Sequence, residues 1–189
     1  MPIQPRAIRA GRRKDALRLA SHNVGGPPAV GGLQHKLRNA TNEWVDNNFH
    51  MILVQEVRIG YAQSTSIVSA INAAAAARAK LRGRKHAGFD FLYCVNSTNA
   101  GSAGSMILWQ RQLVSNGSLE VLPDVPGDRD SQGRLMVARF KWGGHTLQVG
   151  SIYCPNDSVH RQQFITDVLA PAWARNPRNS IFMGDWNFV

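Results

Sequence analysis

A pair of adjacent glycines between two strand-like segments constrains the fold of this chain more than any other feature. Residues 134–142 and 145–153 are β-rich and flank Gly143-Gly144, which is a strong signal for a β-hairpin. The strands of a hairpin are antiparallel, whereas parallel strands need a longer crossover connection. Because helical segments are interspersed with the other strand-like segments, the sequence predicts a mixed α/β sandwich rather than an all-parallel sheet.

The remaining elements follow from hydrophobic periodicity. Apolar residues recur at helical spacing over residues 33–48, and an alanine-rich helix is predicted over residues 64–82, closed by Gly83. A third helix is expected to begin at Asn156-Asp157-Ser158 and to end near Pro171. Short apolar or alternating runs predict further strands at residues 17–21, 51–54, 89–95, 106–109, 119–122 and 180–183.

Length, charge and cysteine content limit the classes of protein to which this chain can belong. The 189 residues fit one domain with a sizeable core, and no apolar run approaches the roughly 20 residues of a membrane span. Cys94 and Cys154 are too few for a disulfide framework or a zinc site, which favours an intracellular setting. The net charge of +10 would attract polyanions, although charge alone is equally consistent with mere solubility.

Much of the positive charge lies in two clusters, one at the N-terminus and one at residues 78–85. Residues 1–15 form a basic head without an apolar core pattern, and we expect it to be disordered ahead of a single domain at residues 16–189. The head has no hydrophobic h-region and is therefore not a secretory signal. An address to the nucleus or an organelle stays open.

Polar residues recur at or just beyond the ends of apolar strands. Asn23, Glu56, Asn156 and Asp185 each occupy such a position. A residue of this kind is usually a loop former or a helix cap. However, helix or hairpin returns separate most of the four, so their strand ends could gather on one side of the sheet. Carboxylate and amide oxygens are ligands suited to Mg²⁺, which predicts a divalent-metal site there.

Other common catalytic arrangements have no matching pattern. His22 lies beside Asn23, but we interpret it as a spacer rather than a ligand. The remaining histidines are scattered, so spacing supports neither a zinc cluster nor a Ser-His-Asp set.

Six short motifs occur in an order and spacing that resemble a known superfamily. They are ASHNVGG, ILVQEVR, SAGSMILW, QGRLMVARF, GSIYCPND and IFMGDWNFV. Together they resemble the endonuclease/exonuclease/phosphatase superfamily, most nearly the apurinic/apyrimidinic-endonuclease-like domain of non-LTR retrotransposons. The resemblance covers residues 17–189 and implies a four-layer α/β/β/α sandwich of two mixed β-sheets. It also implies a hydrolase that uses Mg²⁺ or Mn²⁺ to cleave DNA phosphodiester bonds.

The resemblance also implies roles for individual residues. Glu56 would bind the divalent metal, with Asn23 helping to hold metal and phosphate. Asp185 would orient or deprotonate the attacking water. Tyr153 would place its hydroxyl near the scissile phosphate, and Asn156 belongs to the same Tyr-x-Pro-Asn stretch.

Asn187 and Arg134 also match residues of the superfamily. Asn187 would contact the phosphate oxygens. Arg134 matches an arginine at the start of a strand, for which a structural role is as reasonable as contact with nucleic acid. In chemical terms, a metal with amide and phenol donors stabilises the developing charge, and a carboxylate activates water.

The chain departs from the superfamily at two places. Gly25 stands where members often carry an acidic residue. Members also continue past Gly-Asp-x-Asn to a further aspartate and a Ser-Asp-His segment, which the sequence does not contain after Val189. We therefore expect an incomplete sandwich without its C-terminal strands, through a truncated gene model or a decayed element.

Alternative functions remain open at the level of sequence. One is a non-catalytic remnant that binds nucleic acid by charge, and another is a phosphatase of the same superfamily, such as an inositol-phosphate phosphatase. The charge supports a nucleic-acid substrate over a small soluble phosphoester. We expect DNA as the partner, no membrane association and no stable protein partner.

Overall fold

Two four-stranded β-sheets pack face to face in this protein, with helices on both outer faces. The structure is a computed structural model that describes residues 16–25 and 30–188. The predicted basic head and Val189 lie outside the described residues.

The first sheet has the strand order β1-β2-β4-β3. Its strands are β1 (Leu19–Asn23), β2 (Met51–Gln55), β3 (Phe89–Cys94) and β4 (Ser105–Gln110). β1 is parallel to β2, and β4 is antiparallel to both β2 and β3. All five residues of β2 are buried, which is typical of a strand covered on both faces.

The second sheet has the order β5-β6-β7-β8. Its strands are β5 (Leu119–Val121), β6 (Leu135–Trp142), β7 (His145–Tyr153) and β8 (Ser180–Asp185). β6 and β7 form the predicted hairpin around Gly143-Gly144, and β8 returns parallel to β7. Both sheets are therefore mixed, as the sequence predicts.

The helices lie outside the two sheets. They are α1 (Val30–Asp46), α2 (Tyr61–Leu81), the short α3 (Arg111–Ser115), α4 (Ser158–Phe164) and α5 (Ala170–Ala174), with a π-helical turn at Ile165–Leu169. Within residues 16–25 and 30–188, no helix is both long and apolar enough to cross a membrane.

Three hydrophobic cores separate four layers. One core lies between α1, α2 and the first sheet and includes Trp44 and Ile71. A second lies between the two sheets and contains Leu53 and Met136. A third packs the second sheet against the α4–α5 region through Phe164. This layering confirms the predicted α/β/β/α sandwich.

The structure corrects two details of the predicted elements. Pro171 does not end the third helix, because the chain passes through the π-helical turn and continues as α5 with the proline near its start. The proline has no N–H to donate, and the π-helical turn directly before it changes the hydrogen-bond pattern, with the N–H of Ala170 donating to the carbonyl of Ile165. Sequence periodicity also missed α3, which is too short to show a helical repeat.

Parallel pairing brings the strand ends together. β1 and β2 run in the same direction, so Asn23 lies opposite Gln55, and Glu56 follows directly. β7 and β8 also run in the same direction, and Tyr153 lies opposite Asp185. We call the end of the sandwich where these four strands finish the carboxyl end.

Candidate active site

Asn23 joins the two sheets at the carboxyl end. Its Nδ2 lies 3.0 Å from Oε1 of Glu56 and 2.7 Å from Oδ2 of Asp185. The three side chains follow β1, β2 and β8, so the contact joins segments far apart in sequence. One amide group thus holds two carboxylates in a single cluster.

Backbone geometry fixes the position of Glu56. The residue has a positive φ of 58°, which is uncommon for a side chain other than glycine, and it is buried. The next two backbone N–H groups, of Val57 and Arg58, donate to the carbonyls of Gly104 and Ala103. These bonds hold the turn after β2 and direct the carboxylate toward Asn23.

Arg58 is a member of the cluster that the sequence reasoning missed. Its Nη2 lies 2.6 Å from Oε2 of Glu56 and forms an ion pair with it. The only signal was its position two residues after Glu56 in ILVQEVR. The ion pair offsets one of the two negative charges, so the cluster of Glu56, Asp185 and Arg58 remains net negative within a chain of net charge +10.

A buried hydrogen-bond network lies behind the carboxylates. Gln55 accepts from Ser21 at 3.2 Å and donates to Ser151 at 2.9 Å, and Ser151 donates to the carbonyl of Val54. Gln55 and Ser151 are fully buried and belong to different sheets. Buried polar groups that are all bonded restrict relative movement, so this network fixes the spacing between the sheets at the site.

Both oxygens of Asp185 have partners. Oδ2 accepts from Asn23, and Oδ1 accepts the backbone N–H of Asn187 at 3.0 Å. The Asp185 carbonyl also accepts the N–H of Cys154 at 2.8 Å. The carboxylate is therefore held in one orientation at the edge of the cluster, where it is only half-buried.

Tyr153 lies between Glu56 and Arg134. Burial raises the pKa of its phenol, and the nearby Glu56 carboxylate raises it further. The hydroxyl consequently stays protonated at neutral pH and can donate a hydrogen bond. The guanidinium of Arg134 lies over the ring at 5.4 Å from its centroid, which gives Arg134 a contact that positions the tyrosine.

Asn156 and Asn187 do not contact the carboxylates through their side chains. Asn156 is exposed, and its amide makes no hydrogen bond among residues 16–25 and 30–188. The Asn187 amide donates to the carbonyl of Cys154 at 2.5 Å. Arg161, which the sequence reasoning did not single out, donates to the carbonyls of both asparagines and so ties the two loops together.

A cavity of about 520 Å³ lies beside the carboxylates. Tyr153, Arg134 and Asn156 line it together with residues of α4 and the π-helical turn, but neither Glu56 nor Asp185 does. Of the seven predicted residues, the structure thus places Asn23, Glu56, Asp185 and Tyr153 in one cluster. Arg134 and Asn156 lie along the adjoining cavity, and Asn187 supports Asp185 from behind.

His22 takes a structural position. Its ring packs edge-on against Trp44 at 5.8 Å between centroids, and burial lowers its pKa. This contact agrees with the interpretation of His22 as a spacer.

The cluster offers oxygen ligands for a divalent cation. No group of three or more His, Cys, Asp or Glu side chains converges within the part of the chain that the structure describes. Mg²⁺, however, usually takes only one or two protein carboxylates and completes its coordination with water and substrate phosphate. Glu56 and Asp185 are two such carboxylates held by one amide, so the donor chemistry fits.

The orientation of Asn23 qualifies its predicted role. Its Nδ2 faces the carboxylates, whereas its Oδ1 accepts the N–H of Gly25 at 2.7 Å. In this arrangement Asn23 positions the two carboxylates by donating to them. The amide oxygen, which a metal would need, is directed to the backbone.

Comparisons with known proteins identify the fold. No protein-family model and no curated protein sequence matches the chain. Solved structures do. The AP endonuclease LMAP from Leishmania major matches with a TM-score of 0.60 at 15% identity, over 89% of this chain and 54% of that one.

Two other solved structures have the same fold. The endonuclease domain of TRAS1, a telomere-specific non-LTR retrotransposon, has a TM-score of 0.55 at 14% identity, over 92% of this chain and 60% of that one. TDP2 from D. rerio, complexed with a single-strand DNA product, has a TM-score of 0.58 at 18% identity, over 92% and 61%. The chain therefore spans somewhat more than half the length of these structures. It has the fold of the endonuclease/exonuclease/phosphatase superfamily over that span.

Proposed function

We propose that this chain supplies metal-binding and water-activating groups for a phosphodiesterase reaction that cleaves DNA. The observation that carries the proposal is the amide of Asn23 bonded to both Glu56 and Asp185. Two carboxylates that share one hydrogen-bond donor are close enough to repel each other. A purely structural role gives no reason to bring them together from different sheets. Their juxtaposition is useful where a cation and a phosphate are to be bound together.

Each residue of the cluster has a part in the proposed reaction. Asp185 is held by hydrogen bonds on both oxygens, so it can orient a water molecule and accept its proton without reorganising. Tyr153 keeps its proton and donates to a phosphate oxygen, because burial and Glu56 raise its pKa. Arg134 keeps the tyrosine ring in place from the cavity side.

Glu56 is the residue proposed to hold a divalent cation, Mg²⁺ or Mn²⁺. When bound, such an ion supplies positive charge that stabilises the phosphate oxygens and the leaving oxygen. Arg58 shares the Glu56 carboxylate and adds a fixed positive charge beside it. Asn156 and Asn187 remain candidates for phosphate contact from the loops that Arg161 joins.

DNA is the proposed substrate for two reasons. The net charge of +10 gives the chain sequence-independent affinity for a phosphate backbone. The solved structures of the same fold include an AP endonuclease, a retrotransposon endonuclease domain and a TDP2 bound to a single-strand DNA product. A nuclear location follows as an expectation from the proposed substrate.

The decisive experiment is a plasmid-nicking assay with the purified chain, with and without Mg²⁺. We expect relaxed circles to accumulate only with the metal. Glu56→Gln and Asp185→Asn should each lower the rate by at least about 100-fold, the usual contribution of a positioned acid or base. Glu120→Gln removes one exposed carboxylate from β5, away from the cluster, and should nick at the native rate.

Two results would overturn the proposal for this chain. Equal nicking by the native protein and both active-site variants would assign the activity to a contaminant. No nicking by the folded native protein, together with salt-sensitive retention on DNA, would identify a binding protein without catalysis.

A further inference from the structure

The C-terminal end of α2 carries an exposed cluster of positive charge. We call residues 78–85 the basic tip. It contains Arg78, Lys80, Arg82, Arg84 and Lys85, of which all but Arg78 belong to exposed residues. The tip joins the last turn of α2 to the loop that leads into β3.

Little negative charge offsets the tip. Residues 57–89 contain no aspartate or glutamate. Asp46, at the end of α1, forms ion pairs with Arg78 and Arg82, and these bonds hold the pKa of its carboxyl well below the usual range. Lys80, Arg84 and Lys85 have no ion-pair partner among residues 16–25 and 30–188, so three charges stay available.

The tip lies at the opposite end of the molecule from the carboxylate cluster. α2 begins just after Arg58 and runs beside α1 to the level of Asp46. Its 21 residues span roughly 30 Å at about 1.5 Å per residue. Asn72 contacts the first residue of β3, so the last turns of the helix lie at the end of the molecule where β3 begins.

This position separates the basic tip from any nucleic-acid strand bound at the carboxyl end. A nucleic acid that touched both would have to follow the whole length of α2 or bend around the sandwich. Stiff duplexes resist such bending over short lengths. The two ends of the molecule therefore present independent surfaces to nucleic acid.

We propose that the basic tip is a second nucleic-acid-binding site, which holds the phosphate backbone of a segment other than the one at the carboxyl end. The site does not depend on the chain being a nuclease. Unpaired, exposed lysine and arginine side chains are the groups that contact phosphates without reading sequence.

The composition of the tip favours nucleic acid over an anionic membrane. A helix that binds a lipid surface needs an apolar face to insert beside its basic residues. The tip offers only Leu81 as a large exposed apolar side chain, and the three exposed positions of α2 nearest before the tip are the small residues Ala73, Ala76 and Ala77. Phosphate contacts need no such face.

The test counts duplexes bound per chain. A duplex of about eight base pairs, at about 3.4 Å per pair, is too short to reach both ends of the molecule. Binding is followed by native mass spectrometry and by fluorescence anisotropy in EDTA, so that nothing is cleaved. The tip variant combines Lys80→Gln, Arg84→Gln and Lys85→Gln, and it keeps the Asp46 ion pairs intact.

A matched control removes the same charge elsewhere. Arg38→Gln, Lys141→Gln and Arg178→Gln are exposed, scattered positions outside both sites. We expect the tip variant to bind one duplex fewer than the native chain, and the control to bind the same number. The slope of log affinity against log salt at the tip should fall by about 0.9 for each phosphate contact removed.

The outcomes separate this proposal from the proposed function. If the carboxyl end does not bind DNA, the native chain binds one duplex and the tip variant binds none, which still supports the tip. Equal losses in the tip variant and the scattered control would show that only net charge matters and would overturn the proposal. Binding of phosphatidylserine vesicles without binding of duplex would overturn it as well. Thermal unfolding of both variants near the native temperature guards against a folding defect.

Discussion

Gly184 is the residue whose replacement tests the active-site geometry most directly. It lies in β8 just before Asp185 and opposite Ile152 of β7. A Cβ built on Gly184 would stand 1.9 Å from the carbonyl oxygen of Ile152 and 2.7 Å from its carbonyl carbon. Ordinary contacts of a Cβ begin near 3.4 Å, and the obstructing atoms are backbone atoms that cannot rotate away.

Gly184→Ala must therefore push β8 away from β7 by more than 1 Å. We estimate about 1–3 kcal/mol for the overpacking and about 1 kcal/mol for each of two strand hydrogen bonds, so about 3–5 kcal/mol in all. For a chain of this size each kcal/mol lowers Tm by about 2–4 °C, so the melting temperature should fall by roughly 10 °C. A shift of about 1 Å at the adjoining Asp185 should also cost about 100-fold in cleavage rate.

Differential scanning calorimetry measures the first effect, and plasmid nicking measures the second. Gly117→Ala is the matched control, because a Cβ there meets nothing within 4 Å. Its cost is limited to the left-handed backbone conformation, about 1–2 kcal/mol. The reasoning fails if Gly184→Ala melts as close to the native protein as Gly117→Ala does.

Three further predictions concern stability and reactivity. Asp157→Ala removes the side chain that accepts hydrogen bonds from the N–H groups of Val159 and His160 at the start of α4. The free energy of unfolding, measured by urea titration, should therefore fall by about 1 kcal/mol. An unchanged urea midpoint would contradict the capping role. Burial raises the pKa of both Cys94 and Cys154 to about 11, so iodoacetamide should modify them slowly in the native protein and quickly in urea. Burial also lowers the pKa of three histidines. As the pH falls below about 6.5, these histidines therefore bind protons in the unfolded chain before they do so in the folded chain. The contribution of the three histidines to stability is present above that pH and is lost below it. The urea midpoint should drop between about pH 7.5 and pH 5, and replacing these residues with glutamine should flatten the drop, while replacing the exposed His145 should not. The three are His22, His50 and His86.

Much of the fold was predictable because its signals are local. The hairpin at Gly143-Gly144 has the predicted strands on both sides, and β2 matches a short, fully apolar run. The helix that continues past Pro171 could not be predicted, because the π-helical turn before it has no sequence pattern of its own. The pairing order of the strands also needed contacts between distant segments.

The candidate active site, like the fold, was predictable only in part. Asn23, Glu56 and Asp185 could be singled out because each stands at or near the end of an apolar strand, whereas Tyr153 was identified only through the resemblance. Their motifs also resemble a known superfamily. The ion pair of Arg58 with Glu56 was not visible, because a positive φ at both residues turns the side chains toward each other. Sequence spacing carries no information about such a turn.

By itself the sequence determined which segments form the strands and the longer helices, since hydrophobic period and turn residues act over a few positions. It also determined the chemical types available at the strand ends. Only the tertiary structure decided that the amide at the end of β1 touches the carboxylates at the ends of β2 and β8, and that the side chains of Asn156 and Asn187 do not contact these carboxylates. The physical reason is that parallel pairing and the packing of two sheets bring together atoms more than 150 residues apart, as the bond between residues 23 and 185 shows.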